Sequence, residues 1–186
     1  MAGSEKQMAE GIRRGDNRAM RDFIAAFGGY LTAVCSRYMA DDEDVKDVMQ
    51  EALIRIISNI HRFQYQGNGS LRAWATRIVV SRALDFLKQR KRTVALFADM
   101  EMAADKEFDD SPPDIDDIPA DVVTDMIRQL PEGYRMVFNL YVIEGRSHKE
   151  IAQTLGIKET TSASQLHRAK AMLARQIKDF NPQTKS

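Results

Sequence analysis

Residues 147–175 read SHKEIAQTLGIKETTSASQLHRAKAMLAR, and this stretch decides the fold of the C-terminal part of the chain. Ser147 followed three residues later by Glu150 is a capping box, which predicts the start of a short helix. Gly156 stands where the chain has to turn tightly, because glycine adopts a positive φ without steric cost. Apolar residues at helical spacing continue beyond it, so the stretch predicts two helices joined by a turn. This layout is typical of a helix-turn-helix, whose second helix enters the major groove of duplex DNA.

The second helix of this motif is polar and basic on the side that its apolar residues leave open. Structural helical hairpins share the layout, but their exposed faces more often carry Glu/Lys pairs. Small polar side chains and basic charge therefore favour DNA binding. The side chains that we expect to point outward are Lys158, Thr160, Thr161, Ser164, Gln165 and Arg168.

Charge is segregated along the chain although the formal net charge of the 186 residues is zero. Residues 61–92 contain eight basic residues and one acid, and residues 144–178 contain seven basic residues and three acids. Between them, residues 99–121 hold ten acids and one lysine. Two basic segments separated by an acidic one indicate two contacts with a single polyanion.

Apolar residues at helical spacing and the absence of strand patterns predict an all-α protein. The N-terminal helices are expected at residues 5–14, 17–39, 41–60 and 71–92, with a glycine-containing loop at 64–70. Acids and prolines predict a tether without a stable core at 93–120. Helices at 121–129 and 131–144 precede the helix-turn-helix. The predicted organisation is therefore a domain at 1–92, the acidic linker at 93–120 and a second domain at 121–178.

Several classes of function are excluded by the same sequence. Cys35 is the only cysteine, so we expect a reduced, cytoplasmic protein in which Cys35 is a small buried residue. No apolar run approaches the roughly 20 residues that span a bilayer, so no membrane insertion is expected. The three histidines are scattered and match neither a zinc nor a catalytic spacing. We therefore predict no enzyme activity, no metal site and no cofactor.

Acids are concentrated at residues 41–51, DDEDVKDVMQE. The first explanation is structural, since acids near a helix N-terminus are favoured by the helix dipole by about 0.3–1 kcal/mol each. The second is a protein-binding surface, because Asp44, Asp47 and Glu51 share one stripe of the helix. From these residues alone the structural explanation is favoured.

Aromatic and basic residues are mixed between residues 63 and 92. Tyr65 and Trp74 have the chemistry to stack on unpaired bases, although a lone tryptophan within a helix more often packs in a core. Arg77, Arg82 and Lys88 fall on or near one stripe, which favours contact with phosphates over an ordinary solvated face.

The ordered set of motifs resembles the extracytoplasmic-function (ECF) group of bacterial RNA polymerase sigma factors over residues 10–176. The set comprises the acidic helix of residues 41–51, RAWATRI at 72–78 followed by basic residues to 92, the acidic linker, and the terminal helix-turn-helix. The resemblance implies two helical domains, sigma regions 2 and 4. It also implies that core RNA polymerase and promoter DNA are the partners, that residues 130–144 dock on the polymerase flap, and that the linker runs through the RNA exit channel.

The resemblance further implies a role for individual residues. Asp44, Asp47, Gln50 and Glu51 would bind the clamp coiled coil of the polymerase, in place of the structural explanation given above. The helix-turn-helix would read the −35 element through the six residues named for it. The residues that would open the −10 element and hold a flipped base are Tyr65, Asn68, Ser70, Trp74, Arg77, Ser81, Arg82 and Lys88.

Two departures from the family pattern concern specificity. Many members carry asparagine where Ser81 stands, and Lys or Arg where Ala163 and Gln165 stand. Since a glutamine amide pairs best with adenine, we predict that Gln165 reads an adenine in the −35 element. Arg168 and Lys170 are expected to contact phosphates.

Two rival functions are weighed against a sigma factor. A conventional helix-turn-helix regulator would need a dimer interface, and no spare apolar stripe is evident for one. A helical interaction protein would leave the two basic segments unexplained. The resemblance also allows an anti-sigma protein as a partner, and masking of the basic faces by the acidic linker is a further hypothesis.

Overall fold

The structure is a computed structural model that describes residues 4–89 and 118–180. The described residues form eight α-helices and no strand, which confirms the all-α prediction. The chain divides into two compact units, residues 1–89 and 90–186. Most of the predicted acidic linker, residues 93–117, lies outside the described residues, as does the end of the helix predicted at 71–92.

Unit 1 is a bundle of four helices around one apolar core. Helix α1 spans Glu5–Arg13, α2 Asn17–Ser36, α3 Asp42–Asn59 and α4 Ser70–Gln89, with a 3-10 turn at Ile60–Arg62. Helix α2 contacts α1, α3 and α4, and α4 also packs against α3 and α1. The side chains that fill the core with almost no exposed surface include Phe23, Leu31, Val34, Cys35, Tyr38, Met39, Val48, Ala52, Ile56, Leu71, Ala75 and Val79.

Within residues 118–180, unit 2 contains four helices and one π-helical turn. Helix α5 spans Ala120–Gln129, α6 Glu132–Phe138 with the π-helical turn Asn139–Ile143 directly behind it, α7 His148–Leu155 and α8 Glu159–Asp179. The long α8 packs against α5, α6 and α7. One core cluster joins the first and last of these helices, and its buried members are Met126, Ile127, Leu130, Ala169 and Leu173.

Arg135 is a buried cation that holds the connection between α5 and α6. Its Nη1 donates to the carbonyl oxygens of Arg128 at 2.6 Å and Leu130 at 3.3 Å. These are carbonyls at the C-terminal end of α5, which lack partners within their own helix. Burial lowers the pKa of Arg135 from its usual value. The guanidinium therefore acts as a cap that fixes the angle between the two helices.

Helix ends differ from the sequence prediction where apolar residues continue beyond the regular helix. Helix α2 ends at Ser36 rather than at residue 39, although Tyr38 and Met39 are fully buried. The helix predicted at 131–144 is regular only to Phe138 and continues as the π-helical turn. At Tyr38, Met39 and Leu140 the apolar pattern marks side chains that stay buried after the regular α-helix has ended. The following residues of the π-helical turn, Tyr141, Val142 and Ile143, are exposed.

Candidate nucleic-acid interface

Helix α3 presents a mixed polar and apolar stripe to solvent. Asp47, Gln50 and Glu51 are exposed, as the sequence predicted. Ile54 and Ile57 continue the stripe at helical spacing and remain 56% and 39% exposed. The sequence-based prediction gave these two isoleucines no role. It placed Ile56 on the core side of the same helix, and Ile54 and Ile57 therefore belong to the outer side. Large apolar side chains beside acids form a surface suited to a protein partner.

Asp44 does not belong to this exposed stripe. Its exposed fraction is 9%, so the prediction that Asp44 lies on one exposed stripe with Asp47 and Glu51 is wrong. Asp44 stands in the first turn of α3, behind the N-cap Asp41. The dipole at the helix N-terminus stabilises an acid there, which makes a nearly buried carboxylate tolerable at this position.

Arg82 is also buried, contrary to the prediction that it lies on the DNA-facing stripe of α4. Its side chain is 5% exposed and forms an ion pair with Glu51 of α3, and its Nη1 lies 3.6 Å from Oδ2 of Asp85. Arg55 of α3 lies 3.6 Å from the same carboxylate. Because α3 packs directly on α4, this side of α4 faces α3 rather than solvent. Arg82 therefore joins two helices and is not available to a phosphate.

The remaining polar residues predicted on α4 do share an exposed face. Arg77, Ser81 and Lys88 are all exposed and recur at helical spacing. Trp74 is half-buried, and its ring lies 5.4 Å from the Phe63 ring, centroid to centroid. The tryptophan is thus packed on one side and accessible on the other.

The loop between the 3-10 turn and α4 is held in shape by its own hydrogen bonds. The Tyr65 hydroxyl donates to Oδ1 of Asn68 at 3.0 Å, and the Ser70 hydroxyl donates to the Gly67 carbonyl at 2.6 Å. Gly67 and Gly69 have φ angles of 107° and 90°, which only glycine adopts without strain. Tyr65 and Asn68 remain exposed at the surface of this ordered loop.

The helix-turn-helix forms as the sequence predicted. Ser147 and Glu150 make both hydrogen bonds of the capping box at the start of α7. The Glu150 carboxylate accepts from the backbone N–H and from the hydroxyl of Ser147, and these bonds lower the pKa of that carboxyl. Gly156 ends α7 in the left-handed conformation, with φ 72° and ψ 34°. The Oγ of Ser162, which is fully buried, lies 2.9 Å from Nδ1 of His148 and links α8 to α7.

Gln165 is buried and does not point outward. Its exposed fraction is 2%, so the prediction of a free, outward glutamine is wrong. Neither its Nε2 nor its Oε1 has a hydrogen-bond partner among the described residues. Gln165 precedes the buried Leu166 and follows Ser162 by one turn, which places it on the covered side of α8. An amide in this position cannot reach a base edge without leaving the interior.

The exposed face around the start of α8 matches the prediction in part. Lys158, Thr160 and Ser164 are exposed as predicted, whereas Thr161 is half-buried. His167 continues the exposed face one turn after Ala163 and Ser164, and sequence reasoning had given it no role. The remaining predicted residue, Arg168, is half-buried, and its Nη1 donates to the Tyr134 hydroxyl at 3.4 Å.

Neither a metal site nor a membrane-spanning helix is found in the part of the chain that the structure describes. Within residues 4–89 and 118–180, no group of His, Cys, Asp and Glu side chains is arranged to hold a metal ion. Over the same ranges, none of the helices combines the length and the hydropathy that crossing a bilayer requires.

Comparison with known families identifies both units. The Sigma-70 region 2 family matches residues 23–93, and the Sigma-70 region 4 family matches residues 120–173. The chain is 26% identical to the ECF RNA polymerase sigma factor SigW of Bacillus subtilis, covering 94% of this chain and 97% of that protein. The chain belongs to the extracytoplasmic-function sigma factors.

Other relatives extend this likeness. The ECF chain is 29% identical to the RNA polymerase sigma-H factor of Pseudomonas aeruginosa, covering 89% of this chain and 90% of the relative. The solved structure of CnrH in complex with the cytosolic domain of CnrY has a similar fold, with a TM-score of 0.50 at 21% identity. That similarity covers 95% of this chain and 99% of CnrH. The likeness thus runs through both units of the ECF factor.

Proposed function

We propose that this ECF sigma factor binds core RNA polymerase and directs it to a class of promoters. In this proposal residues 1–92 open the −10 element, residues 121–178 read the −35 element, and residues 93–120 link the two. One observation carries the proposal: regions 2 and 4 of the sigma-70 family match in order, each on its own helical unit. A conventional helix-turn-helix regulator would account for the region 4 match but not for the region 2 match.

The polymerase-binding surface is proposed to be the exposed stripe of α3. Asp47, Gln50 and Glu51 supply its polar part, and Ile54 and Ile57 supply apolar area that is accessible in the free chain. Burial of exposed isoleucines on association contributes about 25 cal/mol per Å² of apolar surface, while the acids set orientation and the choice of partner.

The −10 surface is proposed to comprise the ordered loop and the exposed face of α4. Tyr65, Asn68 and the accessible edge of Trp74 offer stacking and hydrogen bonding to unpaired bases. Arg77, Ser81 and Lys88 follow along α4, where the two cations attract the phosphates of the same strand. Ser70 contributes through the shape of the loop, because its hydroxyl ties Gly67 to the start of α4.

The −35 surface is proposed to be the exposed face of α8. Lys158, Thr160, Ser164 and His167 have accessible donors and acceptors at the N-terminal half of the helix, the part that reaches base edges in helix-turn-helix proteins. Half-buried Thr161 flanks this face. Arg168 and exposed Lys170 lie further along, where phosphate contacts position the helix without reading sequence.

We propose no catalytic step for the chain itself, because in this function the polymerase performs the chemistry. The site of action is then the cytoplasm, where polymerase and chromosome are found. An anti-sigma protein is proposed as a further partner. CnrH was solved in complex with a domain of a second protein, CnrY, which supports a protein partner for a chain of this fold.

Reconstitution with a bacterial core RNA polymerase tests the proposal. The full chain is mixed with core enzyme, passed through a gel-filtration column, and the complex is used to select transcribed promoters from a random DNA library. We expect co-elution with core and a recovered promoter class with two conserved elements. A conventional regulator would instead bind duplex DNA without core and would give no transcription.

A matched pair of variants locates the polymerase-binding surface. Ile54→Arg places a charge in the proposed interface and is expected to abolish co-elution with core. Ile24→Arg introduces the same change on α2, where the isoleucine is 44% exposed, and is expected to leave co-elution intact. Equal behaviour of the two variants would show that the α3 stripe is not the interface.

A further inference from the structure

His148 lies where three parts of unit 2 meet: the π-helical turn, α7 and α8. It is the first residue of α7, and its Nδ1 lies 2.9 Å from the Oγ of Ser162 at the end of the first turn of α8. The ring of Tyr141, in the π-helical turn, stacks on the imidazole with a centroid distance of 4.5 Å and an interplanar angle of 23°. The imidazole is therefore held on its face by an aromatic ring and at one nitrogen by a hydroxyl of α8.

Ser162 anchors the part of α8 that carries the proposed −35 surface. Its side chain is completely buried, whereas Thr160 and Ser164, two positions before and two positions after it, are exposed. Because these three residues belong to the same stretch of regular helix, a rotation or shift of α8 that broke the bond to His148 would also move both exposed side chains. The placement of the DNA-reading face is thus tied to one buried hydroxyl.

A hydrogen bond at this junction restricts the packing of α8 on α7 more than an apolar contact would. Apolar contacts are non-directional, so they tolerate small rotations of one helix against another. A hydrogen bond weakens steeply when its angle closes or its distance grows. The Ser162 hydroxyl can donate or accept, so it pairs with either tautomer of the His148 ring.

We propose that His148 is a positioning residue for −35 recognition: through its hydrogen bond to Ser162 it fixes the angle at which α8 presents its reading face to the major groove. The inference rests on the proposed function, because it requires that this face reads the −35 element. Neither residue belongs to the exposed −35 surface, since His148 is half-buried and Ser162 is fully buried. They act on promoter choice through the residues that touch the bases.

Transcription by the holoenzyme of the full chain and core RNA polymerase tests this assignment. The template is a promoter recovered from the random library, compared with the same promoter carrying an unrelated sequence in place of its −35 element. The ratio of the two initial rates, measured at limiting holoenzyme, reports how strongly the −35 element is distinguished. Partial unfolding of a variant lowers both rates by the same factor, so a purely structural role leaves this ratio unchanged.

Two substitutions of His148 separate the hydrogen bond from the aromatic ring. His148→Phe keeps a ring beside Tyr141 but removes the nitrogen, and we expect the ratio to fall about fivefold, the factor that corresponds to one net hydrogen bond. His148→Asn loses the ring but keeps a polar atom at the position of Nδ1, and we expect it to retain at least about half of the parent ratio. The matched control is His61→Phe, the same change at an exposed histidine of unit 1, which should leave the ratio at the parent value.

A double variant, His148→Phe with Ser162→Ala, tests whether the two residues act through one bond. We expect Ser162→Ala to lower the ratio as much as His148→Phe does, and the double variant to lose no more than either single variant. An unchanged ratio in His148→Phe, an equal loss in His148→Asn, or losses that multiply in the double variant would each overturn the assignment. A parent holoenzyme whose rate does not depend on the −35 element would instead refute the proposed function, and the inference with it.

Discussion

Replacing Gln165 with methionine is expected to stabilise the helix-turn-helix and to leave duplex binding unchanged. Gln165 is 2% exposed, and both polar atoms of its amide are without a partner among the described residues. A buried polar group without a hydrogen bond costs about 1–3 kcal/mol. Methionine is unbranched and similar in size, so it keeps the packing of α8 while removing that cost.

The expected gain is about 1–2 kcal/mol in the free energy of unfolding of unit 2, which allows for incomplete repacking. Since about 1.4 kcal/mol corresponds to a tenfold change in an equilibrium constant, backbone amides of α8 should exchange roughly tenfold more slowly. Hydrogen exchange followed by mass spectrometry on the full chain measures this for peptides from α8. Ser164→Met is the control, because Ser164 is exposed on the same helix and the change should stay within about 0.5 kcal/mol.

Two results would refute this reasoning. Faster exchange in Gln165→Met would show that the amide is satisfied in the folded protein and that its removal leaves a defect. A change in the base preferred within the −35 duplex would show that Gln165 leaves its buried position to read DNA, as the sequence alone had predicted. Promoter selection with the variant holoenzyme measures the second outcome.

Three further predictions concern the core of unit 1 and the turn of the helix-turn-helix. Arg82→Met should lower the free energy of unfolding of unit 1 by about 1–3 kcal/mol, whereas Arg77→Met, at an exposed position, should change it by less than about 0.5 kcal/mol. Urea denaturation followed by the fluorescence of Trp74 compares the two variants, and a larger loss for Arg77→Met would contradict the assignment of Arg82 as the buried arginine. Burial raises the pKa of Cys35 from 9.0 to about 12, so the unfolded thiol ionises first and stability should fall as the pH rises from about 9 toward 12. Denaturation of the parent chain and of Cys35→Ala across that range checks this, since the variant lacks the thiol that contributes to the slope. Gly156→Ala should destabilise unit 2 by about 1 kcal/mol because the φ of Gly156 is +72°. Gly29→Ala, inside α2 with open space around it, should stabilise unit 1 by roughly 0.5–1 kcal/mol. Thermal melts in which both variants changed the melting temperature in the same direction would contradict the turn argument.

The helix-turn-helix was the most predictable part of the structure because its signals are local. The capping box of Ser147 and Glu150 and the positive φ of Gly156 depend on backbone groups within a few residues. Such interactions are encoded by residue type and spacing alone. The same holds for the existence of the eight helices, most of whose ends lie within a few residues of the predicted positions.

The burial of polar residues was not predictable in the same way. Helical periodicity shows which residues share a face, but it does not show how wide a face the neighbouring helices cover. Arg82 is enclosed where α3 packs on α4, and Gln165 lies in a helix against which α6 and α7 both pack. At both positions the side chain was predicted to be exposed because it is polar, whereas its burial is decided by contacts with helices that are distant in sequence.

The pairing of Glu51 with Arg82 has a consequence for any test of the polymerase-binding surface. Glu51 is exposed on the α3 stripe, but its carboxylate also neutralises a cation whose side chain is 5% exposed. Removing Glu51 leaves that guanidinium with Asp85, at 3.6 Å, as its remaining carboxylate partner among the described residues, which weakens the junction of α3 with α4. A loss of polymerase binding in a Glu51 variant would therefore combine an interface effect with a folding effect. Asp47 and Ile54 lie on the same stripe and are exposed, so substitutions there separate the two.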